Sequence, residues 1–257
     1  MFETLIYKPA DGVGEIRLNR PACMNALSLQ SYADLGAALE RAGADATVRA
    51  ILIASEGRSF CVGADIKEFQ ARPESQDALI EAEQDLARRL AGLSKPVVAA
   101  IRGHALGAGA ELALGCDFIL MAKGARFGLP EIGLGNFLGG GASHLLPRLV
   151  GLAKAREMVF LGQLVESEEA LAIGLANRCL PAETFEEEAR AFARRLAAQA
   201  PLPMRLAREQ LNQAGERSFD AVLAAEAEGM AQCLASRDWQ EGLRALAEKR
   251  PPRFTGE

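Results

Sequence analysis

The chain has 257 residues, 49% apolar content and a formal net charge of -5; it is long enough for one large domain, or a domain with an appendage, and its acidic balance argues against nucleic acid as the main partner. No apolar run reaches the length needed to span a bilayer, so no membrane partner is expected. Five scattered cysteines, at 23, 61, 116, 179 and 233, point to reduced thiols; with a polar opening, Met1 to Lys8, that lacks signal or transit character, a cytoplasmic setting is expected.

In chain order, Leu5 to Lys8 and Gly14 to Leu18 read as a hairpin around Pro9 to Val13, and Ser28 caps a helix running to about Arg41. The apolar runs Ala50 to Ala54 and Pro96 to Ile101 read as buried strands. Helical patterns follow at Gln76 to Leu90, Ala108 to Leu114, Ala153 to Leu161 and Ser167 to Ile173, with a strand near Ala176 to Leu180. From Glu183 onward the text is helical, with breaks at Pro201-Leu202-Pro203 and near Ala214-Gly215 and an Ala-, Leu-, Glu- and Arg-rich stretch at Phe219 to Leu246. Charge runs such as Glu186-Glu187-Glu188 fit solvated helix faces.

Two acids stand in apolar, glycine-rich surroundings. Ile101 to Leu114 passes from a β-rich run through Gly107-Ala108-Gly109-Ala110 into a helix, placing Glu111 in its first turns, where free N–H groups can hold developing negative charge. Glu131 follows Pro130 in Phe127-Gly128-Leu129-Pro130-Glu131-Ile132-Gly133 and is the only charge between Arg126 and Arg148. Either acid alone reads as an ordinary solvated side chain. Together, in apolar settings that resist ionisation, they form a pair able to exchange a proton near neutral pH. Upstream, Ser59 to Lys67 is a loop running into a helix, and its small residues Gly63 and Ala64 can present a further N–H to the same oxygen.

Other motifs fail. Gly133-Leu134-Gly135 and Gly12-Val13-Gly14 lack the third glycine of a dinucleotide loop, with Leu138 and Arg17 at that position, and Gly141-Ala142-Ser143-His144-Leu145 lacks the closing glycine of a nucleophile elbow. With only His104 and His144 and no paired cysteine spacing, no metal site is expected. His104 reads as a packed residue near the loop.

The ordered stretches Leu18-Asn19-Arg20-Pro21, Asn25-Ala26-Leu27, Phe60 to Ile66, Lys95 to Ile101, Gly107 to Glu111 and Phe127 to Glu131 resemble the crotonase, or enoyl-CoA hydratase/isomerase, superfamily. The likeness continues through Pro147 to Gly151, Ala170 to Leu175 and Asp238 to Phe254. It implies an α/β fold, a crotonase-type spiral of ββα units, with an acyl-CoA-binding catalytic core over 1–195 and a C-terminal helical oligomerisation region over 196–257. Trimers, or hexamers made of paired trimers, are the implied assembly.

The same resemblance implies that Ala64 and Ala108 donate backbone N–H groups to the thioester oxygen, and that Glu111 and Glu131 hold the water of an enoyl-CoA hydratase. Glu111 is assigned mainly to activating it and Glu131 mainly to delivering the proton; the reverse assignment stays open because such pairs titrate together. The implied substrate and CoA contacts are Ala26, Leu27, Gly63, Asp65, Ile66, Lys67, Gly107, Phe137, Leu138, Gly139, Lys249 and Phe254. Lys67 is the stronger candidate for the phosphates, and Lys249 and Phe254 lie where family C-termini approach the nucleotide. Coenzyme A enters as part of the substrate, and no separate cofactor is expected. The chain departs from the family at Leu138, where proline is common, and at Ala142-Ser143-His144-Leu145, in place of a Gly-Thr-Gln-Arg-like run. This bears on acyl-chain preference, with Phe137 and Leu138 expected to line the acyl end, and leaves isomerisation, thioester hydrolysis, decarboxylation and non-catalytic acyl-CoA binding as alternatives.

Overall fold

The structure, a computed structural model, describes residues 2–257; Met1, where the expected core begins, lies outside the described residues. A hairpin opens the chain: β1 (Leu5–Ala10) pairs antiparallel with β2 (Val13–Leu18) across a turn at Asp11-Gly12, tighter than the loop read from Pro9 to Val13. Ser28 caps α1 (Leu29–Ala44), its side chain accepting from the Ser31 N–H. Then come β3 (Ala50–Ser55), α2 (Ile66–Ala71), α3 (Gln76–Gly92), β4 (Val97–Ile101), β5 (His104–Leu106) and α4 (Ala108–Leu114). The next group is β6 (Phe118–Ala122), β7 (Arg126–Gly128), a 3-10 turn (Glu131–Leu134), α5 (Ala142–Phe160), β8 (Val165–Glu166), α6 (Ser167–Ala172) and β9 (Arg178–Leu180). Four helices close the chain: α7 (Phe185–Ala197), α8 (Pro201–Asn212), α9 (Phe219–Leu234) and α10 (Arg237–Glu248).

The large sheet runs β1-β2-β3-β4-β6-β9, parallel from β2 onward, and a smaller one runs β5-β7-β8. Isolated bridges Cys61 to Ala105 and Leu27 to Ala64 carry the small sheet's pairing back toward the N-terminus. The chain therefore repeats one motion: a long strand in the large sheet, a short extended piece in the other layer, then a helix. This is the expected spiral of ββα units, turning through β2 with Leu27, β3 with Cys61 to Ala64, β4 with β5, and β6 with β7. Strands β3 and β4 are buried along their whole length, as parallel strands covered on both faces must be.

Several elements differ from the sequence reading. The break expected at Pro201-Leu202-Pro203 falls at residues 198–200 instead, because Pro201 opens α8 at a position where a missing N–H costs nothing. Helix α5 starts eleven residues before the expected Ala153, at Ala142, with a kink at Gly151 (φ 76°) that hid its first half. Phe219 to Leu246 forms two helices, the second capped by Ser236, whose hydroxyl accepts from the Trp239 N–H. Strands β5 to β8 were not read at all. Three of them span two or three residues, too few for an alternation to show.

The C-terminal helices are tied to the core by Arg208. It is buried on α8, donates from Nε to both oxygens of Asp117 at 2.9 Å, and reaches the carbonyls of Leu90, Ala91 and Leu93 at the end of α3. Asp117 in turn accepts from the Val97 N–H at 2.7 Å.

Candidate active site

Two of the short extended pieces end where a helix begins, and there the spiral leaves backbone donors exposed to one another. Ala64 follows the Cys61 bridge and precedes α2; Ala108 follows β5 and is the first residue of α4. A side chain at Gly63 would place its Cβ 3.9 Å from the Ala108 nitrogen and 4.0 Å from the Gly107 Cα, so the two turns lie directly against each other. Neither the Ala64 nor the Ala108 N–H donates to any acceptor among the described residues. Two unpartnered donors side by side at the starts of helices form a site for an oxyanion.

The Ala64 turn is held from behind. Leu27 donates to the Gly63 carbonyl and accepts from the Asp65 N–H, each at 2.8 Å, and Asp65 caps α2 through the Glu68 N–H while pairing with Arg20 at 2.8 Å. Asn25, buried at φ 57°, bridges the Glu56 and Ser59 carbonyls and accepts from the Arg20 N–H. Burial pushes the Cys61 thiol up to about 12, which keeps it protonated and out of nucleophilic chemistry.

The carboxylates converge on the second turn. Glu111, in the first turns of α4, is 4% exposed, and its Oε1 accepts from the Gly139 N–H at 2.6 Å. Burial first, then a hydrogen bond and charge from Glu83, drive its pKa well above the usual carboxylate range, against the lowering effect of Gly139. Glu131 opens its 3-10 turn behind Pro130 and is 8% exposed. Burial raises its pKa too, and Oε2 has no hydrogen-bond partner among the described residues. Gly107 links the two: it sits at φ 51°, and a Cβ there would come within 2.8 Å of the Glu131 Oε1. A buried carboxylate oxygen without a partner is costly unless something in the working site satisfies it.

Of the other expected contacts, Ala26, Leu27 and Gly63 are buried beside the Ala64 turn, while Ile66 and Lys67 are exposed on the first turn of α2. Leu138 is partly buried against the core and Gly139 holds Glu111. Phe137, expected at the acyl end, is 73% exposed. Lys249 and Phe254 sit in the C-terminal segment, Lys249 exposed at the end of α10 and Phe254 against Gly242; neither makes a contact that joins it to the carboxylates. His104 is half-buried with Nδ1 3.4 Å from the Ser59 hydroxyl. Among the described residues no group of His, Cys, Asp and Glu is arranged to hold a metal ion, and no helix is long and apolar enough to cross a membrane.

Glu83 and Tyr32 were missed. Both line a cavity of about 20 Å³ with Glu111, Ala108 and Gly140. Glu83 belongs to the stripe Leu79, Glu83, Leu86, Leu90, spaced to lie along one face of α3, and an acid on that apolar stripe was the available signal. Tyr32 carried none, since a tyrosine in α1 reads as core.

The sequence matches the family described as enoyl-CoA hydratase/isomerase over residues 8–257. It is 39% identical over 242 residues to a probable enoyl-CoA hydratase of Bacillus subtilis, covering 93% of each chain. It is 37% identical over 241 residues to the 2,3-dehydroadipyl-CoA hydratase of Escherichia coli, covering 94% of each. The crystal structure of enoyl-CoA hydratase from Bacillus anthracis superposes with a TM-score of 0.95 at 32% identity, covering 99% of this chain and 100% of that one.

Proposed function

The chain belongs to the enoyl-CoA hydratase/isomerase family, and we propose that it is a hydro-lyase adding water across the 2,3 double bond of a 2-enoyl-CoA to give a 3-hydroxyacyl-CoA. The observation that carries this reading is the pair of buried glutamates, Glu111 and Glu131, beside two unpartnered backbone donors. The thioester oxygen sits between the Ala64 and Ala108 N–H groups, which stabilise the negative charge that builds on it as water attacks C3; one such donor is worth about 3 kcal/mol. The partnerless Oε2 of Glu131 accepts a hydrogen bond from the water, while the glutamates together take one proton from that water and deliver one to C2. Oxygen ends on C3 and hydrogen on C2, so the sum is one water added. Coenzyme A enters as part of the substrate, and Lys67, exposed on α2 without an ion pair among the described residues, is our candidate for meeting its phosphates.

Assembly is part of the proposal. No residue of α9 is buried, and Phe219, Leu223, Met230 and Leu234 are 74%, 46%, 65% and 51% exposed. Further copies of this chain are the expected cover, as a trimer or paired trimers, and the free thiols suit a reducing cytoplasm. The reaction is tested by offering straight, branched and aromatic 2-enoyl-CoAs and following loss of the conjugated thioester absorbance. Loss with at least one, and none with the free acids, is the expected result; no loss with any member of the panel overturns the reading.

A further inference from the structure

Helix α3 carries an acid into the site that the two-glutamate scheme does not use. The carboxyl group of Glu83 fills the space beside Gly139: a Cβ on that glycine would lie 2.5 Å from Cδ and from both Oε atoms of Glu83. The same Gly139 donates its N–H to Glu111, and a Cβ on Gly140 would lie 2.8 Å from the Glu111 Cβ. Two carboxyl groups are thus packed on one pair of glycines. Both also line the cavity of about 20 Å³, whose other walls include the apolar Leu86, Leu90 and Leu112. Tyr32 lines it too, 4% exposed, and its hydroxyl has no hydrogen-bond partner among the described residues. One small cavity thus carries two carboxyl groups and a buried hydroxyl without a partner, a costly arrangement away from water.

We propose that Glu83 is a positioning residue for the hydration reaction, which holds the proton on Glu111 through the contact the two share at Gly139. The groups facing Glu111 are Glu83 from α3, Tyr32 from α1, Glu131 from its 3-10 turn and the protonated Cys61 thiol. None is a cation, so a negative charge on Glu111 has only the Gly139 N–H to answer it. The Glu83 carboxyl beside it makes a charge on Glu111 harder to form. Glu83 therefore sets the pH range over which Glu111 keeps its proton, and through it the range over which the pair can pass one to or from the water.

The inference rests on the hydratase reading, and one arm of its test needs no turnover. Melting temperatures are measured from pH 5 to about pH 9 for the wild type, Glu83→Gln, Glu111→Gln and the double variant. The wild type should lose stability with rising pH, Glu83→Gln should lose less, and in the Glu111→Gln background Glu83→Gln should leave the slope unchanged. Glu83→Asp, which restores the charge, should recover part of the slope. In the second arm, the kcat/KM limb belonging to Glu111 should move about one pH unit lower in Glu83→Gln. A Glu83→Gln variant that melts lower by the same amount at every pH, with an unmoved kcat/KM profile, overturns the proposal and makes Glu83 a packing residue. Wild-type protein that hydrates nothing in the panel overturns the reading beneath it, while the melting slopes still decide whether Glu83 holds the Glu111 proton.

Discussion

Helices α4 and α9 are written in much the same letters, small and apolar residues with an occasional acid, yet one is buried from Gly109 to Leu114 and the other has no buried residue. The difference lies in what precedes each. Helix α4 leaves the short strand β5 through Gly107 and is driven into the core, so Glu111 loses its water and becomes hard to ionise. Helix α9 leaves an exposed turn capped by Ser218, packs on α8 along part of one face, and keeps Glu226 and Glu228 in solvent. Chemistry follows the layer a carboxylate is carried into more than the sequence immediately around it.

The hardest break of that contrast is Ala108→Pro. Proline at the first position of a helix removes an N–H that has no intrahelical partner, so α4 should survive. Turnover should fall about a hundredfold to a thousandfold through loss of one oxyanion donor, checked by steady-state kinetics beside a melting curve; unchanged turnover would take Ala108 out of the site.

Next comes the tie between the two regions. Arg208→Ala leaves the partly buried Asp117 without its cation and strips three carbonyls of a donor, a change expected to cost about 3 to 5 kcal/mol. Urea unfolding measures it. Loss of less than about 1 kcal/mol would mean that α8 to α10 are held elsewhere.

A pH series sharpens the contrast on the buried side. The folded-state pKa of Glu111 is raised from 4.5 to about 9, so the folded chain holds this proton after the unfolded chain has released it. Its contribution to stability is complete below the unfolded value and drains away as pH rises through that window. Glu111→Gln should therefore gain in melting temperature relative to wild type from pH 5 to pH 9, about, while turnover drops about a hundredfold or more. Acids on α9 replaced in the same way should show no such slope.

The smallest effect is expected at Phe137. At 73% exposure its truncation to Ala should change stability by less than about 0.5 kcal/mol and leave the ratio of rates for short and long enoyl-CoAs unchanged. A widened chain-length range on Phe137→Ala would return it to the pocket.

Much of this was legible in the sequence, for identifiable reasons. Strands β3 and β4 are continuous apolar runs, and Ser28 is an ordinary helix cap. Glu111 and Glu131 stood out because acids are rare in such apolar text, and the turns at Ala64 and Ala108 because glycine precedes each. What could not be read depends on contact between distant segments. The facing of the two turns needs the pairing of Cys61 with Ala105. Glu83 enters the site only because α3 lays that side chain against Gly139 and along the cavity it shares with Gly140.

The central claim, that these carboxylates and donors add water to an enoyl thioester, is tested most directly by the fate of labelled solvent. The protein is incubated with a short 2-enoyl-CoA in water carrying heavy oxygen and deuterium, and the product is analysed by mass spectrometry, with Glu131→Gln as the control. The account predicts a 3-hydroxyacyl-CoA with heavy oxygen on C3 and deuterium on C2, formed by the wild type and barely by the variant. Deuterium in a shifted double bond without heavy oxygen, or release of free coenzyme A, would contradict it.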